Sequence, residues 1–226
     1  MRLKALLIAT TLAATAALTA TMPAAAEEVF DAPTATRQAN EGSGLKTAIF
    51  AGGCFWGVEA VFSHTKGVTS AVSGYHGGTA QQANYSTVSR GITDHAEAVQ
   101  VTYDPSVVRY DQLLQILFSV VADPTLLNRQ GPDRGAQYRA AIVPTNDEQR
   151  AVAAAYLLQM SRSGVWDDPI VVQLERQQRF YEAEEHHQDF ALRNPDHGYI
   201  VRWDAPKVEA LRAKFPRLYR STFRTG

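Results

Sequence analysis

The segment Lys46-Thr-Ala-Ile-Phe-Ala-Gly-Gly-Cys-Phe-Trp-Gly-Val-Glu-Ala-Val-Phe62, KTAIFAGGCFWGVEAVF, changes its period halfway along. Lys46 to Ala51 is a short apolar run ended by Gly52-Gly53, which reads as a buried strand. Phe55, Val58, Val61 and Phe62 then recur at helical spacing, which predicts a helix from about Cys54 to Thr65. A strand that turns through two glycines into a helix presents Cys54 at the helix start beside free backbone N–H groups, the logic of a nucleophile elbow. The helix end favours the reactive thiolate, but it contributes only about 0.3–1 kcal/mol, or about 2 when partly buried. One pKa unit corresponds to about 1.4 kcal/mol, so a thiol of ordinary pKa near 8.5 stays mostly protonated or half ionised at neutral pH. No Lys, Arg or His lies within several residues of Cys54. On these residues alone a reactive thiol stands only slightly ahead of a small buried side chain. Phe55 lies on the apolar stripe and reads as core, whereas Trp56 lies off it and is free to wall a pocket beside the thiol.

Outward from this segment, Val68 to Tyr75 reads as a strand leading into Gly77-Gly78, and Gln81 to Arg90 as a polar loop. His95 to Tyr103 alternates like a strand, and Arg109 to Val121 is an apolar helix stopped by Asp123-Pro124. A long loop from Thr125 to Gln137 has the length of a functional one. Tyr138 to Val143 is another strand, Thr145-x-x-Glu148 a capping box opening a helix to about Ser161, and Ile170 to Leu174 a last strand. This order argues for an α+β or α/β two-layer domain. The reading adopted is α+β, a two-layer sheet-and-helix sandwich of ferredoxin-like type with a long irregular C-terminal segment.

The chain has 226 residues and a formal net charge of -1, so no global basic field invites nucleic acid. Met1-Arg-Leu-Lys4, an apolar stretch to Thr21 and Pro23-Ala-Ala-Ala26 read as a secretory signal over residues 1 to 26, cleaved near Ala26. The expectation is export, to a periplasm, without stable membrane insertion. Residues 27 to 45 read as a flexible leader, 46 to 204 as the catalytic domain and 205 to 226 as a basic tail. Val208, Leu211, Phe215 and Leu218 suit an amphipathic helix docked on the domain. Exported proteins use cysteines in pairs, and one cysteine makes no bridge within its own chain.

Gly53-Cys54-Phe55-Trp56-Gly57-Val58-Glu59 resembles the signature of the type A peptide methionine sulfoxide reductases, and further matches follow in order. They are Gly74-Tyr75-His76-Gly77-Gly78, Asn84-Tyr85, His95-Ala96-Glu97, Arg129-Gln130-Gly131-Pro132-Asp133 running on through Gly135, Gln137, Tyr138 and Arg139, then Ala183-Glu184-Glu185 with His187-Gln188 and Asn194-Pro195. The resemblance covers roughly residues 46 to 196. It implies Cys54 as nucleophile, Glu97 as acid, Tyr85 and Tyr138 as hydroxyl donors, Phe55 with Trp56 as an apolar seat for the methyl group, and Asp133 as a substrate contact. It implies oxidised proteins or peptides and small methyl sulfoxides as substrates, the S epimer of methionine sulfoxide among them, and neither a cofactor nor a metal. Attack would leave Cys54 as a sulfenic acid. With no second cysteine, an outside thiol must reset it, either a small thiol such as glutathione or a thioredoxin-like protein.

The residues speak for the acid in their own right, because Glu97 shares the strand face of Val99 and Val101. Burial there would raise its pKa and keep it able to donate a proton, while a solvent-facing strand stays equally open. The chain departs from the family pattern at Asp94 (usually Gly), Ala122 (usually His), Ala140 (usually Ser) and His186 (usually Tyr), and near Asn84 the usual Pro is absent. Three other readings compete. A cysteine hydrolase would draw its base from His76, His95 or His187. A metal-binding or carrier module would use Glu185, His186, His187 and His197, at spacings that match no metal motif. A non-catalytic binder of oxidised peptides would anchor them on Trp56.

Overall fold

A computed structural model describes residues 29–226, so the expected signal segment lies outside the described residues. The first strand, β1, is Lys46–Gly52, and it turns directly into helix α1, Phe55–Ser63. Strand β2 (Val68–His76), a one-turn helix α2 (Tyr85–Val88) and strand β3 (Ala96–Tyr103) follow. Helix α3 (Tyr110–Ile116) runs on through a wider π turn, Leu117–Val121. Strands β4 (Arg129–Gln130) and β5 (Asp133–Arg134) pair as a small separate hairpin. Strand β6 (Ala140–Val143), helix α4 (Asp147–Met160), and the short strands β7 (Gln173–Leu174) and β8 (Tyr181–Glu182) come next. Helices α5 (Phe190–Arg193) and α6 (Ala205–Lys214) close the chain.

The main sheet has the order β7-β6-β1-β3-β2-β8. Its inner four strands pair antiparallel, β6 with β1, β1 with β3 and β3 with β2. With α1 linking β1 to β2 and α3 lying between β3 and β6, this is the split β-α-β arrangement of a ferredoxin-like sandwich. The expected fold class therefore holds. Strand β1 sits at the centre, which is why its sequence is an apolar run rather than an alternation. Ala48 and Phe50 join the core under the helices, while Ile49 and Ala51 join a smaller cluster on the other face. Every residue of α1 except Trp56 is buried. A helix apolar all round needs cover on both sides: the sheet gives one side, and α5, α6 and the turn before α6 give the other.

Several expectations are corrected in detail. The segment read as a flexible leader, residues 27 to 45, contains no helix or strand over its described part, residues 29 to 45, yet that part lies strapped to the domain. Ala32 and Ala35 are buried in the core, the Tyr156 hydroxyl donates to the Pro33 carbonyl at 2.8 Å, and the Ala39 N–H donates to Asp111 at 2.9 Å. Small residues there signalled flexibility because their partners lie more than seventy residues away. The cap of α4 is Asn146, whose side chain accepts from the Gln149 N–H at 2.8 Å; Thr145 instead donates to the Thr47 carbonyl at 2.6 Å. The expected strand from Ile170 shrinks to the two residues of β7, which pair parallel to β6. The tail docks as expected, with Leu211 buried, but its helix stops at Lys214 and the chain then runs back along α1 and β2 through the Thr65–Tyr219 bridge.

Candidate active site

Cys54 stands at the N-cap of α1, half-buried. Gly53 makes the turn, with φ of 92°, where a side chain would also place its Cβ 2.6 Å from the Gln130 Cβ. Glycine is required there twice over, for the backbone conformation and for the close approach of β4. Gln130 is itself fixed, donating to the Asp123 carbonyl at 2.8 Å and accepting from the Asp123 N–H at 3.0 Å.

Glu97 reaches the same helix end from β3. The Phe55 N–H donates to Glu97 Oε2 at 3.0 Å, so the carboxyl occupies the first free donor of α1, next to the thiol. It is 1% exposed. Burial pushes its pKa up to about 8; the Phe55 N–H opposes the rise, and Asp133 and Asp204 add to it. The question of the strand face is thereby answered, since Glu97 points into the protein. Burial likewise pushes the Cys54 thiol well up, helped by Glu97, Asp204 and Asp133 and opposed by the Trp56 N–H. The helix end does pull toward the thiolate, but it is outweighed, so the resting site holds a neutral thiol beside a largely neutral carboxyl.

Three phenols surround this pair. Tyr85 belongs to α2 rather than to the loop expected there, because Asn84 caps that turn by accepting from the Thr87 N–H at 3.1 Å. The Tyr85 N–H donates to Glu184 Oε1 at 2.8 Å, and Glu184 Oε2 accepts from the Tyr75 hydroxyl at 2.8 Å. Tyr138 lies in a tight turn, Ala136–Tyr138, just before β6 rather than in a strand. Its neighbour Arg139 fixes the turn, donating to the Ala136 carbonyl at 3.0 Å, to the Asp94 carbonyl at 3.1 Å and to Glu175 at 2.7 Å. The third phenol, Tyr199, was not singled out from the sequence. Its hydroxyl donates to Asp133 Oδ2, and its ring stands edge-on to Trp56 at 5.9 Å. Burial pushes Tyr85, Tyr138 and Tyr199 all upward, and for each Asp133 adds to the rise. They are therefore proton donors and not phenolates.

The aromatic pair behind Cys54 divides. Phe55 is 0% exposed and packs against Tyr75 and His187, as its place on the stripe predicts. It borders the site mainly through its backbone N–H. Trp56 is the one half-buried residue of α1. Phe190 stacks on its ring at 3.7 Å, and its indole N–H donates to His187 Nδ1 at 3.2 Å. Trp56 is thus fixed in orientation by the C-terminal segment, and the sequence contains no local signal for that stacking.

The histidines of the hydrolase reading are each held by partners other than the Cys54 thiol. His76 contacts Glu175 at 3.1 Å and accepts from the Gln178 N–H at 3.1 Å; His95 lies between the Gly78 N–H at 3.2 Å and the Thr79 carbonyl at 2.9 Å. His187 takes the Trp56 N–H, and burial lowers its pKa. Among the described residues no group of three His, Cys, Asp or Glu side chains gathers as a metal site.

Fold and site together define an enzyme built around one thiol, with acids and phenols arranged to protonate an oxygen held against that thiol. The comparisons agree. A family model for peptide methionine sulfoxide reductase matches residues 46–218. The chain is 54% identical over 176 residues to the peptide methionine sulfoxide reductase MsrA 2 of Mesorhizobium japonicum, covering 78% of this chain and 90% of the relative. It is 49% identical over 172 residues to the MsrA 2 of a Synechocystis species, covering 76% and 80%. Among solved structures, the reduced form of Mxr1 from Saccharomyces cerevisiae matches with a TM-score of 0.63 at 31% identity, covering 71% of this chain and 91% of that one. The chain belongs to the peptide methionine sulfoxide reductase family.

Proposed function

We propose that this enzyme reduces the S epimer of methionine sulfoxide, in oxidised proteins and peptides and in small methyl sulfoxides, with Cys54 as the reacting sulfur. The observation that carries the reading is Glu97: a carboxyl with a pKa of about 8, hydrogen-bonded to the Phe55 N–H at the helix end that bears the thiol. Such a group is protonated at neutral pH and acts as a general acid on an oxygen beside the thiol. The Cys54 sulfur attacks the sulfoxide sulfur while Glu97 protonates the sulfoxide oxygen, and Tyr85 and Tyr138 donate further hydrogen bonds as its charge grows. Two electrons pass to the sulfoxide sulfur and the oxygen passes to Cys54, the proton given by Glu97 ending on the sulfenic hydroxyl and the thiol proton restoring Glu97, so the products are the sulfide and the Cys54 sulfenic acid. Trp56, with the Phe55 edge of the site, seats the methyl group, and Asp133, held by Tyr199, orients the substrate.

Two equivalents of an outside thiol then return Cys54 to its reduced state, yielding a disulfide and water. Cys54 is the only cysteine of the chain, which supports a thioredoxin-like protein or a small thiol such as glutathione in that role. The first 26 residues support export, with the reductant met on the exported side.

The test is one turnover of the mature protein on a methyl sulfoxide with no reductant present. One equivalent of sulfide is expected, together with one added oxygen on Cys54 by mass; Cys54→Ser should form none. Full turnover by the serine variant would end the assignment.

A further inference from the structure

The turn from Ala183 to Gln188 is anchored on one residue of β2. The Ala183 N–H donates to the Ser73 carbonyl at 2.9 Å. The Gln188 side chain donates to the same carbonyl at 3.0 Å and accepts from the Ser73 N–H at 3.0 Å. Gln188 also donates to the Ala183 carbonyl at 2.9 Å, and the His187 N–H to the Glu184 carbonyl at 2.8 Å, which closes the turn on itself. None of these bonds uses the Glu184 side chain.

That side chain is turned to the site. Glu184 Oε1 accepts from the Tyr85 N–H and Oε2 from the Tyr75 hydroxyl, both at 2.8 Å. Burial opposes the charge of Glu184, but these bonds outweigh it and keep the pKa below its ordinary value. The same turn brings the His187 ring to 4.4 Å from the Tyr85 ring. Helix α2 is a single turn, too short to hold its shape alone in water, so its place is set by what it touches. Its far end is held by buried Val88 and by Gln137, which donates to the Ser89 carbonyl at 3.1 Å. Its near end, which carries Tyr85, is held by Glu184.

We propose that Glu184 is a positioning residue for the reduction, fixing the near end of α2 so that the Tyr85 hydroxyl is aimed at the sulfoxide oxygen. This rests on Tyr85 acting as a hydrogen-bond donor in the proposed reaction. Glu184 acts through Tyr85 and takes no part in the bonds that change. A donor held in place beforehand needs no reorganisation when charge grows on the oxygen. Its benefit falls in the transition state, so loss of Glu184 lowers the rate at saturation and leaves the half-saturating concentration nearly unchanged.

The test is a double-mutant cycle of Glu184 against Tyr85, read as the single-turnover rate of sulfide formation by the reduced protein over a range of methyl sulfoxide concentrations. Glu184→Ala should lower the saturating rate by about tenfold, the weight of a bond to a charged group, with the half-saturating concentration unchanged. Tyr85→Phe keeps the backbone N–H, loses only the hydroxyl, and should lower the rate at least as much. Adding Glu184→Ala to Tyr85→Phe should slow it no further, because the group that Glu184 aims is then gone. Glu184→Gln keeps an oxygen for the Tyr85 N–H and should confine the loss to about threefold, a neutral bond being roughly half as strong. Thermal melts identify which variants fold, and if Glu184→Ala does not, Glu184→Gln takes its place in the cycle. A folded Glu184→Ala with the wild-type rate overturns the proposal, as does a loss that multiplies with that of Tyr85→Phe; both leave the reductase reading standing. No sulfide from the wild type would overturn the two together.

Discussion

Two buried carboxyls flank α1, and both are pushed by burial to a pKa of about 8. Glu59 lies on the helix itself at 0% exposure, enclosed by Ser73 of β2 and Asp189 of the C-terminal segment. Glu97 comes from β3 at 1% exposure and faces Cys54, Asp133 and Asp204. Burial and proton affinity are nearly the same in the two places, so neither marks a site. The difference lies in what stands beside each acid: Glu97 has a thiol and a half-buried indole near it, and Glu59 has only packed protein. A raised carboxyl pKa becomes catalytic only where a nucleophile and an approach route share it.

The sharpest way to break this comparison is to neutralise each acid in turn. Glu97→Gln should slow single-turnover sulfide formation by about 10²–10⁴-fold, the usual share of a general acid. Glu59→Gln should leave that rate unchanged; equal losses would mean that burial and not position governs the chemistry. The indole is the next lever. Trp56→Ala removes the apolar wall stacked on Phe190 and should lower kcat/KM for a methyl sulfoxide by about 10–200-fold, read from initial rates with excess reductant. Tyr199→Phe removes the hydroxyl that donates to Asp133. A hydrogen bond to a charged group contributes about 1.5–3 kcal/mol, so kcat/KM should fall by roughly 10–100-fold if Asp133 orients the substrate.

The smallest effect concerns stability, and here the two acids should behave alike. Both have folded pKa values of about 8, raised from the ordinary 4.5. Between these values the native state keeps protons that the unfolded chain has released. Stability therefore falls as pH rises through this window, by about 1.4 kcal/mol per pH unit for each group, and levels off above it. Glu59→Gln should flatten its share of that slope in urea unfolding compared at low and high pH within the window. An unchanged slope would place its titration near the ordinary value.

Much of this was legible in local sequence. The change of period at Gly52-Gly53 gave the strand, the turn and the helix, because each depends on residues within one or two turns of one another. Strand alternation put Glu97 on the face of Val99 and Val101 but left open whether that face is buried, and the ordered motifs pointed to Glu97, Tyr85, Tyr138 and Asp133. The misreadings share a cause. The leader looked loose because its partners Asp111 and Tyr156 are distant in sequence, and the capping box failed because Asn146, one residue on, captured the Gln149 N–H. Tyr199 and Asp204 lie in the short stretch between α5 and α6, and Phe190 in a one-turn helix, where no period marks an inward-facing side chain.

By itself the sequence determined the order of the central strands and main helices, the glycine turn that puts a single thiol at a helix start, and the absence of a second cysteine to reset it. Only the tertiary structure decided the proton inventory of the site. Proton affinity depends on desolvation and on charges that approach through space, and here those come from β3, β5 and the turn before α6, as many as 150 residues from Cys54.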